Sequence, residues 1–403
     1  MSTVPVFVDP AADVRDAVAS RSEVPELPDK IWFHKTASAV IDADRCVGCG
    51  GCIAACPSRS LSVGTDGHPT LVRMCTGCSA CWDYCPLAGL RVERLNGAVG
   101  GLGEALEAWS ARALAPPQDA QDGGVVTSLL AVLLEAGHID GAILTRRTGP
   151  FHGEPFLATT TEEILEAAGS VYHQGHPLAV LNREIPPGVG RIAFVGTPCQ
   201  ISVLRALQRF PWRYRNTAAH AVVLAVGLFC TRSFEPAELL RALAAKGADL
   251  SRVVKLDVRG GDLVARDAKG DESYRVPVAT VRGPSLHGCD ECADFAGLAA
   301  DLAVGNVGSD PGRSTVLVRT EAGAGAWAAA AGAFDAARLD DLAPVARIAA
   351  RNRRLAERSL QRALDPDGTL WIGYEEHLEA YGGTDRAPVK APPHRSHHYE
   401  VSC

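Results

Sequence analysis

The chain has 403 residues, of which 47% are hydrophobic and 22% charged, enough for a large core and two or three domains. Its formal net charge of -7 gives no global pull toward nucleic acid or an anionic membrane, so no nucleic-acid partner is expected. The longest apolar run, 221–230, falls well short of the roughly 18 residues a spanning helix needs, so no membrane span is expected.

Residues 1–33 mix proline and charge with little periodicity and read as a loosely packed extension. They show no basic segment feeding an apolar one, hence no export signal, and the reading is of a cytoplasmic protein. Its 13 cysteines then point to metal in a reducing compartment rather than to disulfides.

Residues 34–95 carry CVGCGGCIAACP (46–57) and CTGCSACWDYCP (75–86), which superimpose when 29 is added to each number. This is an internal duplication. Three cysteines at a three-residue pitch take three corners of an iron–sulfur cube, and the trailing Cys-Pro sends the fourth thiolate to the other cluster. The expected ligand sets are therefore Cys46, Cys49, Cys52 and Cys85 for one [4Fe-4S] cluster, and Cys75, Cys78, Cys81 and Cys56 for its twin. Structural zinc also takes paired cysteines, but has no use for the third cysteine or for the Cys-Pro. The module resembles bacterial-type 2[4Fe-4S] ferredoxins, a small α+β fold.

Residues 96–117, rich in glycine and then proline, read as a linker, and 118–365 as the larger domain. There a helical run from Val125 alternates with short β-branched runs at 140–145, 191–196, 221–229, 253–258 and 314–319. That alternation predicts an α/β domain with a mixed or mostly parallel sheet. After about 325 an Ala/Arg-rich segment reads as helices, and 366–403 as an extended tail ending in the unassigned thiol Cys403.

Cys199 and Cys230 each follow a predicted strand, and Cys289 and Cys292 form a CxxC pair. A lone strand-end cysteine is commonly a small buried hydrophobe. Strand ends of an α/β sheet also converge on one crevice, where four thiolates can hold a third cluster.

QDGGVVTSLLAVLLEAGHIDGAIL, EEILEAAGSVYH, FVGTPCQISVLRAL, GLFC and CDECADFAGLAADLAVGNVGS, spanning about 118–320, resemble the β-subunit family of coenzyme F420-reducing hydrogenase and F420-dependent formate dehydrogenase. With the ferredoxin module in front, the layout is similar to the F420H2 dehydrogenase subunit of methanogens and to the front half of F420-dependent sulfite reductase. The resemblance implies one FAD, a third [4Fe-4S] cluster on Cys199, Cys230, Cys289 and Cys292, and hydride exchange with F420 as co-substrate. It implies FAD contacts from Gln121, Asp122, Gly123, Gly124, Val125 and Thr127, from Thr197, Pro198 and Gln200, and from Asn306, Gly308 and Ser309. Lys255 would face the flavin's pyrimidine ring or stand exposed at a sheet edge. TRRT (145–148) and RNRR (351–354) are candidate grips for the anionic F420 tail, and runs of this kind are usually solvated faces.

A strand followed by Gly-x-Gly-x-x-Ala at 314–328 imitates a nicotinamide-nucleotide site, but lacks an acidic residue about 20 positions on. Among His173, His176 and His287 no proton donor stands out. The expected enzyme passes electrons between reduced F420 and a redox partner protein, a ferredoxin or another oxidoreductase subunit. Two alternatives share the motifs: a ferredoxin-dependent flavin reductase of an organic double bond, and a non-catalytic electron-transfer subunit of a hydrogenase or dehydrogenase complex. Acceptor, direction of flow and homo-oligomerisation are left open by the sequence.

Overall fold

The computed structural model describes residues 30–94, 101–209, 217–281, 283–361 and 367–389. A helical turn at Phe33–Thr36 widens into a π-turn at Ala37–Ile41, and buries Phe33, Ala37 and Ile41 against Ile53, Leu61, Cys56 and Cys81. Each cysteine run ends in one turn of helix, Gly51–Ala54 and Ala80–Asp83. Before each turn stands a left-handed residue, Gly50 at φ 80° and Ser79 at φ 67°, which folds the run back on itself. Between the runs β1 (Leu61–Val63) and β2 (Pro69–Leu71) form a hairpin, and β3 (Leu90–Arg94) follows the second run.

The larger domain begins with β4 (Glu107–Ala113), β5 (Gly141–Arg147), β6 (Gly153–Ala158), β7 (Ile192–Gly196) and β8 (Val222–Leu228). A separate three-stranded sheet of β9 (Lys255–Arg259), β10 (Asp262–Arg266) and β11 (Glu272–Pro277) intervenes before β12 (Leu302–Gly305), β13 (Ser314–Val318) and β14 (Phe334–Arg338). The main sheet has eight strands in the order β14-β4-β13-β12-β8-β7-β5-β6. Its middle four, β12, β8, β7 and β5, are mutually parallel, and antiparallel strands flank them on both sides. This is the mixed-sheet α/β fold expected, with a small ferredoxin-like module at its N-terminal end.

Successive residues of the central strands point to opposite layers. Ala142, Leu144, Ala193, Leu224 and Val226 pack under the helices Val125–Glu135 and Glu321–Ala330. Ile143, Ile192, Phe194 and Ala225 pack with Ile201 and Leu204 of the helix Pro198–Arg209. That second layer continues without a break into Val47, Trp82, Tyr84, Leu87 and Leu90 of the cysteine module. The two units share one core, because each carries an apolar face that the other covers.

Three segments depart from expectation. The linker expected at 96–117 contains β4, an inner strand paired on both sides by β13 and β14. The tail expected from 366 contains β15 (Asp367–Trp371), paired with β3, and the helix Tyr374–Tyr381, whose His377 and Tyr381 are buried. Partners more than 200 residues away supply what local composition did not announce: Val316 pairs with Trp109, and Trp82 Nε1 donates to Ile372 O at 2.9 Å. The helices expected after 325 are interrupted by β14 at the sheet edge. In the extension, Ile31 and Phe33 are buried, while 1–29 and Cys403 lie outside the described residues.

The imitation nucleotide motif is packing. β13 is antiparallel to both neighbours, so the helix Glu321–Ala330 starts at the opposite end of the sheet from the parallel strands' carboxyl ends. A Cβ on Gly323 would lie 2.2 Å from Asp301 O, so that glycine serves close helix–strand approach.

Candidate cofactor site

Where β5, β7, β8 and β12 end, a cavity of about 350 Å³ opens, in the crevice where parallel α/β sheets receive ligands. Leu130, Leu144, Val195, Leu228, Val304 and Phe295 form apolar walls, and Gln121, Asp122, Thr145, Thr197, Arg232 and Asn306 add polar groups. An apolar pocket with few convergent polar groups is the usual form of a cofactor site. The helix Val125–Glu135 starts at the rim, after Gly124 at φ 65°, with its first N–H groups beyond the reach of intrahelical acceptors.

Tyr172 OH accepts the Val258 N–H at 2.8 Å and stands 3.4 Å from the Gln121 amide; burial pushes its pKa up to about 12. His173 Nδ1 accepts the Gly153 N–H at 3.4 Å, which leaves Nε2 to carry the ring proton. Burial, and after it the neighbouring His152, hold His173 below the usual histidine pKa. Burial also raises the pKa of Asp122, against the nearby Arg259.

Next to this cavity lies a smaller one of about 70 Å³, walled by Cys199, Cys230, Cys289 and Cys292. The two share Gln174, Cys230 and Thr231. On its other side stand Val47, Pro86 and Leu87 of the cysteine module. Burial raises all four thiols, Cys289 up to about 12, and Cys230 and Cys292 are raised further by the other thiols. Sulfurs so crowded and dry are costly as free thiolates, whereas a bound cation reverses that preference.

In the N-terminal module each of two thiols has its strongest thiol neighbours within one of the expected sets. Cys52, raised first by burial, feels Cys49, Cys46 and Cys85 most strongly, and Cys81, also raised by burial, feels Cys78, Cys75 and Cys56. For Cys49 the strongest charge is Cys199, so the first run abuts the small cavity that Cys199 walls. Backbone N–H groups of Gly48, Gly51 and Gly77 point at Cys46, Cys49 and Cys75 at 3.4–3.5 Å, as donors to cluster sulfurs do. Among the described residues no three His, Cys, Asp or Glu side chains close on one point as ligands of a single ion would.

Two polar knots hold these parts together. Gln174 Nε2 donates to Ser233 Oγ at 2.5 Å and to Thr197 Oγ1 at 3.4 Å, and its Oε1 accepts from Gln200. Arg45, beside Cys46, makes a two-pronged pair with Glu291, between Cys289 and Cys292, at 2.7 and 2.9 Å. Both side chains are almost fully buried.

Residues 108–182 and 189–341 match the models for the N-terminal and C-terminal parts of the coenzyme F420 hydrogenase/dehydrogenase beta subunit, and 38–89 match a 4Fe-4S dicluster domain. The coenzyme F420 hydrogenase subunit beta of Methanothermobacter thermautotrophicus is 31% identical, across 60% of this chain and 88% of its own length. The chain belongs to the coenzyme F420 hydrogenase/dehydrogenase β-subunit family.

An uncharacterised protein of Methanocaldococcus jannaschii is 31% identical across 74% of this chain and 88% of its own. The coenzyme F420-dependent sulfite reductase of that organism is 34% identical, but the match spans 34% of its length. A solved F420-reducing [NiFe] hydrogenase complex from Methanosarcina barkeri contains a chain that superimposes with a TM-score of 0.60 at 27% identity, covering 72% of this chain and 97% of that one. The protein is thus a β-subunit-like oxidoreductase of this family with iron–sulfur clusters in its dicluster domain. Among the described residues no helix is long and apolar enough to cross a membrane.

Within this family frame the predicted contacts divide. Gln121, Asp122, Gly124, Val125, Thr127, Thr197, Gln200 and Asn306 line the large cavity, and Pro198 lines the small one. Gly123 stands behind the wall, its N–H on Ser314 Oγ. Gly308 packs toward Val345 and Ser309 bonds Thr315, both outside the lining. Lys255 is buried, bound to Asp119 O at 3.0 Å and Asp257 at 3.3 Å, so it is not exposed; it is not among the lining residues, though its Cε lies beside the cavity-lining Gly169.

Of the basic runs, Arg146 pairs with Glu154, and Arg353 with Glu357 along its own helix. Arg147 pairs with Asp119 but keeps a buried Nη1 without a partner, beside the cavity-lining Gly169. His176 is buried with Nε2 on Gly67 O, and His287 is exposed beside Asp44. Sequence reasoning missed Arg232, the one cationic side chain among the cavity's described lining residues, and the Gln174 knot. Cys230-Thr-Arg and His173-Gln adjoin quoted motifs, which was the signal available.

Proposed function

We propose that the protein exchanges electrons between reduced coenzyme F420 and a one-electron carrier, holding FAD in the large cavity and three [4Fe-4S] clusters on the twelve cysteines named above. The observation that carries this reading is the shared wall: Gln174, Cys230 and Thr231 belong to both cavities, and the smaller one touches the cysteine module. When bound, FAD supplies the interchange between a two-electron hydride and single electrons, and the clusters supply one-electron sites.

The chain's own groups have distinct tasks. The start of the helix Val125–Glu135 and the spare Nη1 of Arg147 offer donors to anionic groups. Leu130, Leu144, Val195 and Val304 keep water out, which strengthens the polar contacts inside. Arg232, held by Asp290 at 2.5 Å, is the cation available to an electron-rich ring, the task first assigned to Lys255. His173 keeps its proton on Nε2 at the cavity wall, where the neutral ring can donate a hydrogen bond to a bound acceptor atom.

Anaerobically purified protein should contain about twelve irons per chain, four for each cluster, and one FAD. Reduced F420 should bleach the flavin and return to its oxidised absorbance when a viologen is added. Absence of flavin, or of any spectral exchange with F420, removes this reading in favour of a different substrate or a non-catalytic subunit.

A further inference from the structure

The two cysteine runs are copies, but their surroundings are not. A Cβ on Gly48 would lie 2.8 Å from Gln174 Cβ and 2.9 Å from Gln174 O, in the larger domain. Its counterpart 29 positions on, Gly77, lies instead against the ring of Trp32, at 2.9 Å. A Cβ on Gly50 would lie 2.7 Å from His176 O, whereas its counterpart Ser79 accepts the Ile31 N–H on Oγ at 2.8 Å. Arg45 is 3% exposed and clamps Glu291; its counterpart Met74 is 81% exposed. Gly48, Gly50 and Arg45 thus meet the larger domain where their counterparts Gly77, Ser79 and Met74 meet the short segment at 31–32 or solvent.

That outer face is apolar and rimmed by positive charge. Trp32 is 44% exposed, and an exposed methionine is an adaptable contact for a protein surface. Ser60 Oγ donates to Met74 O at 2.8 Å and Val72 N–H to Ser60 O at 2.9 Å, which sets exposed Arg59 beside Arg73 and Met74. Exposed Lys30 adjoins Ile31 on the other side.

We propose that the Trp32–Met74 face, with Arg59, Arg73 and Lys30, docks a small electron-carrier protein of acidic surface, occupying on the second run the place the larger domain occupies on the first. This rests on the reading that Cys75, Cys78, Cys81 and Cys56 hold a cluster. One electron passes from the reduced cluster to the oxidised carrier, with no bond formed or broken and no proton required. Apolar contact holds the pair, and opposite charge orients it and speeds encounter at low salt.

The test is calorimetric binding of a small acidic [4Fe-4S] ferredoxin to the full-length holoprotein at low and high salt, alongside the rate at which dithionite-reduced protein reduces it. Arg73→Glu and Met74→Glu should each weaken binding and slow transfer by about tenfold or more, and high salt should weaken the parent protein likewise. Arg241→Glu, on an exposed helix of the larger domain, should change neither. Failure of the ferredoxin to bind, or equal affinity in all three variants, overturns the proposal. Neither readout uses F420, so a protein that binds the carrier as described but ignores reduced F420 sinks the functional reading and leaves this face standing.

Discussion

The two halves of the dicluster module carry the same thiol spacing on the same local backbone, yet one is an interior part and the other a surface. Around Cys46–Cys52 the neighbours are Gln174, His176, Val203 and the clamped Glu291. Around Cys75–Cys81 they are Trp32, Thr36 and solvent-facing Met74. The duplication supplies like chemistry twice, and packing decides which copy faces the larger domain and which faces outward. A relay needs this asymmetry, because two identical faces would give electrons no preferred exit.

The comparison breaks most sharply at the thiols. Cys49→Ala and Cys78→Ala should each lower iron from about twelve to about eight per chain. In Cys49→Ala, reduction of any external one-electron acceptor by F420H2 should fall by roughly 100-fold, since Cys49 abuts the Cys199 site. Cys78→Ala should leave the inner site still reducible, seen as a remaining cluster signal after F420H2 addition. Equal spectra from both variants would mean that inner and outer are the wrong words.

Buried charge gives the next largest contrast. Glu291→Gln leaves Arg45 buried with part of its charge unanswered and should cost about 3–5 kcal/mol of stability. Met74→Ala, at the counterpart of Arg45, should stay within about 0.5 kcal/mol. Urea unfolding of both holoproteins, followed by tryptophan emission, checks the pair.

His176 adds a pH signature to the inner side. Its ring is buried with Nε2 on Gly67 O, and burial pushes its pKa down to about 4. A histidine depressed in the folded state binds its proton more readily when unfolded, so the stability it permits is complete above about pH 6.5 and drains as pH falls toward 4. The loss approaches about 3 kcal/mol across that window. His176→Asn, which can still donate to Gly67 O, should flatten the stability profile there; an unchanged slope assigns the acid sensitivity elsewhere.

Much of this was legible. Short-range patterns announced the dicluster module, the helix Val125–Glu135 and the strands β5, β7, β8, β9 and β13, because periodicity and cysteine spacing are local properties. β4 was hidden in a Gly/Pro-rich stretch and β15 in a presumed tail, since only a distant partner makes each a strand. Site residues divided the same way. Gln121 and Asn306 sit in quoted loops, whereas the Arg45–Glu291 clamp joins positions 246 apart. Lys255 was read as facing a flavin or standing exposed at a sheet edge; the strand belongs to the small sheet, where the side chain is buried and its ammonium held by Asp119 and Asp257, which rules out the exposed edge.

The smallest contrast isolates packing alone. Gly48 and Gly77 have nearly the same left-handed φ, 62° and 66°, so an alanine at either pays the same conformational cost of about 1 kcal/mol. Their neighbours differ in what can yield. The Cβ of Gly48→Ala meets Gln174 Cβ and carbonyl oxygen, backbone fixed by the knot with Ser233 and Gln200, whereas that of Gly77→Ala meets the half-exposed ring of Trp32, which can swing outward. Overpacking against rigid structure costs about 1–3 kcal/mol beyond the shared strain, so Gly48→Ala should be the less stable protein by that margin. Because Gln174 walls both cavities, Gly48→Ala should also lower flavin content, and Gly77→Ala should not. Equal melting and equal flavin in the two variants would show that the inner run is docked on the larger domain no more tightly than the outer run is covered by Trp32.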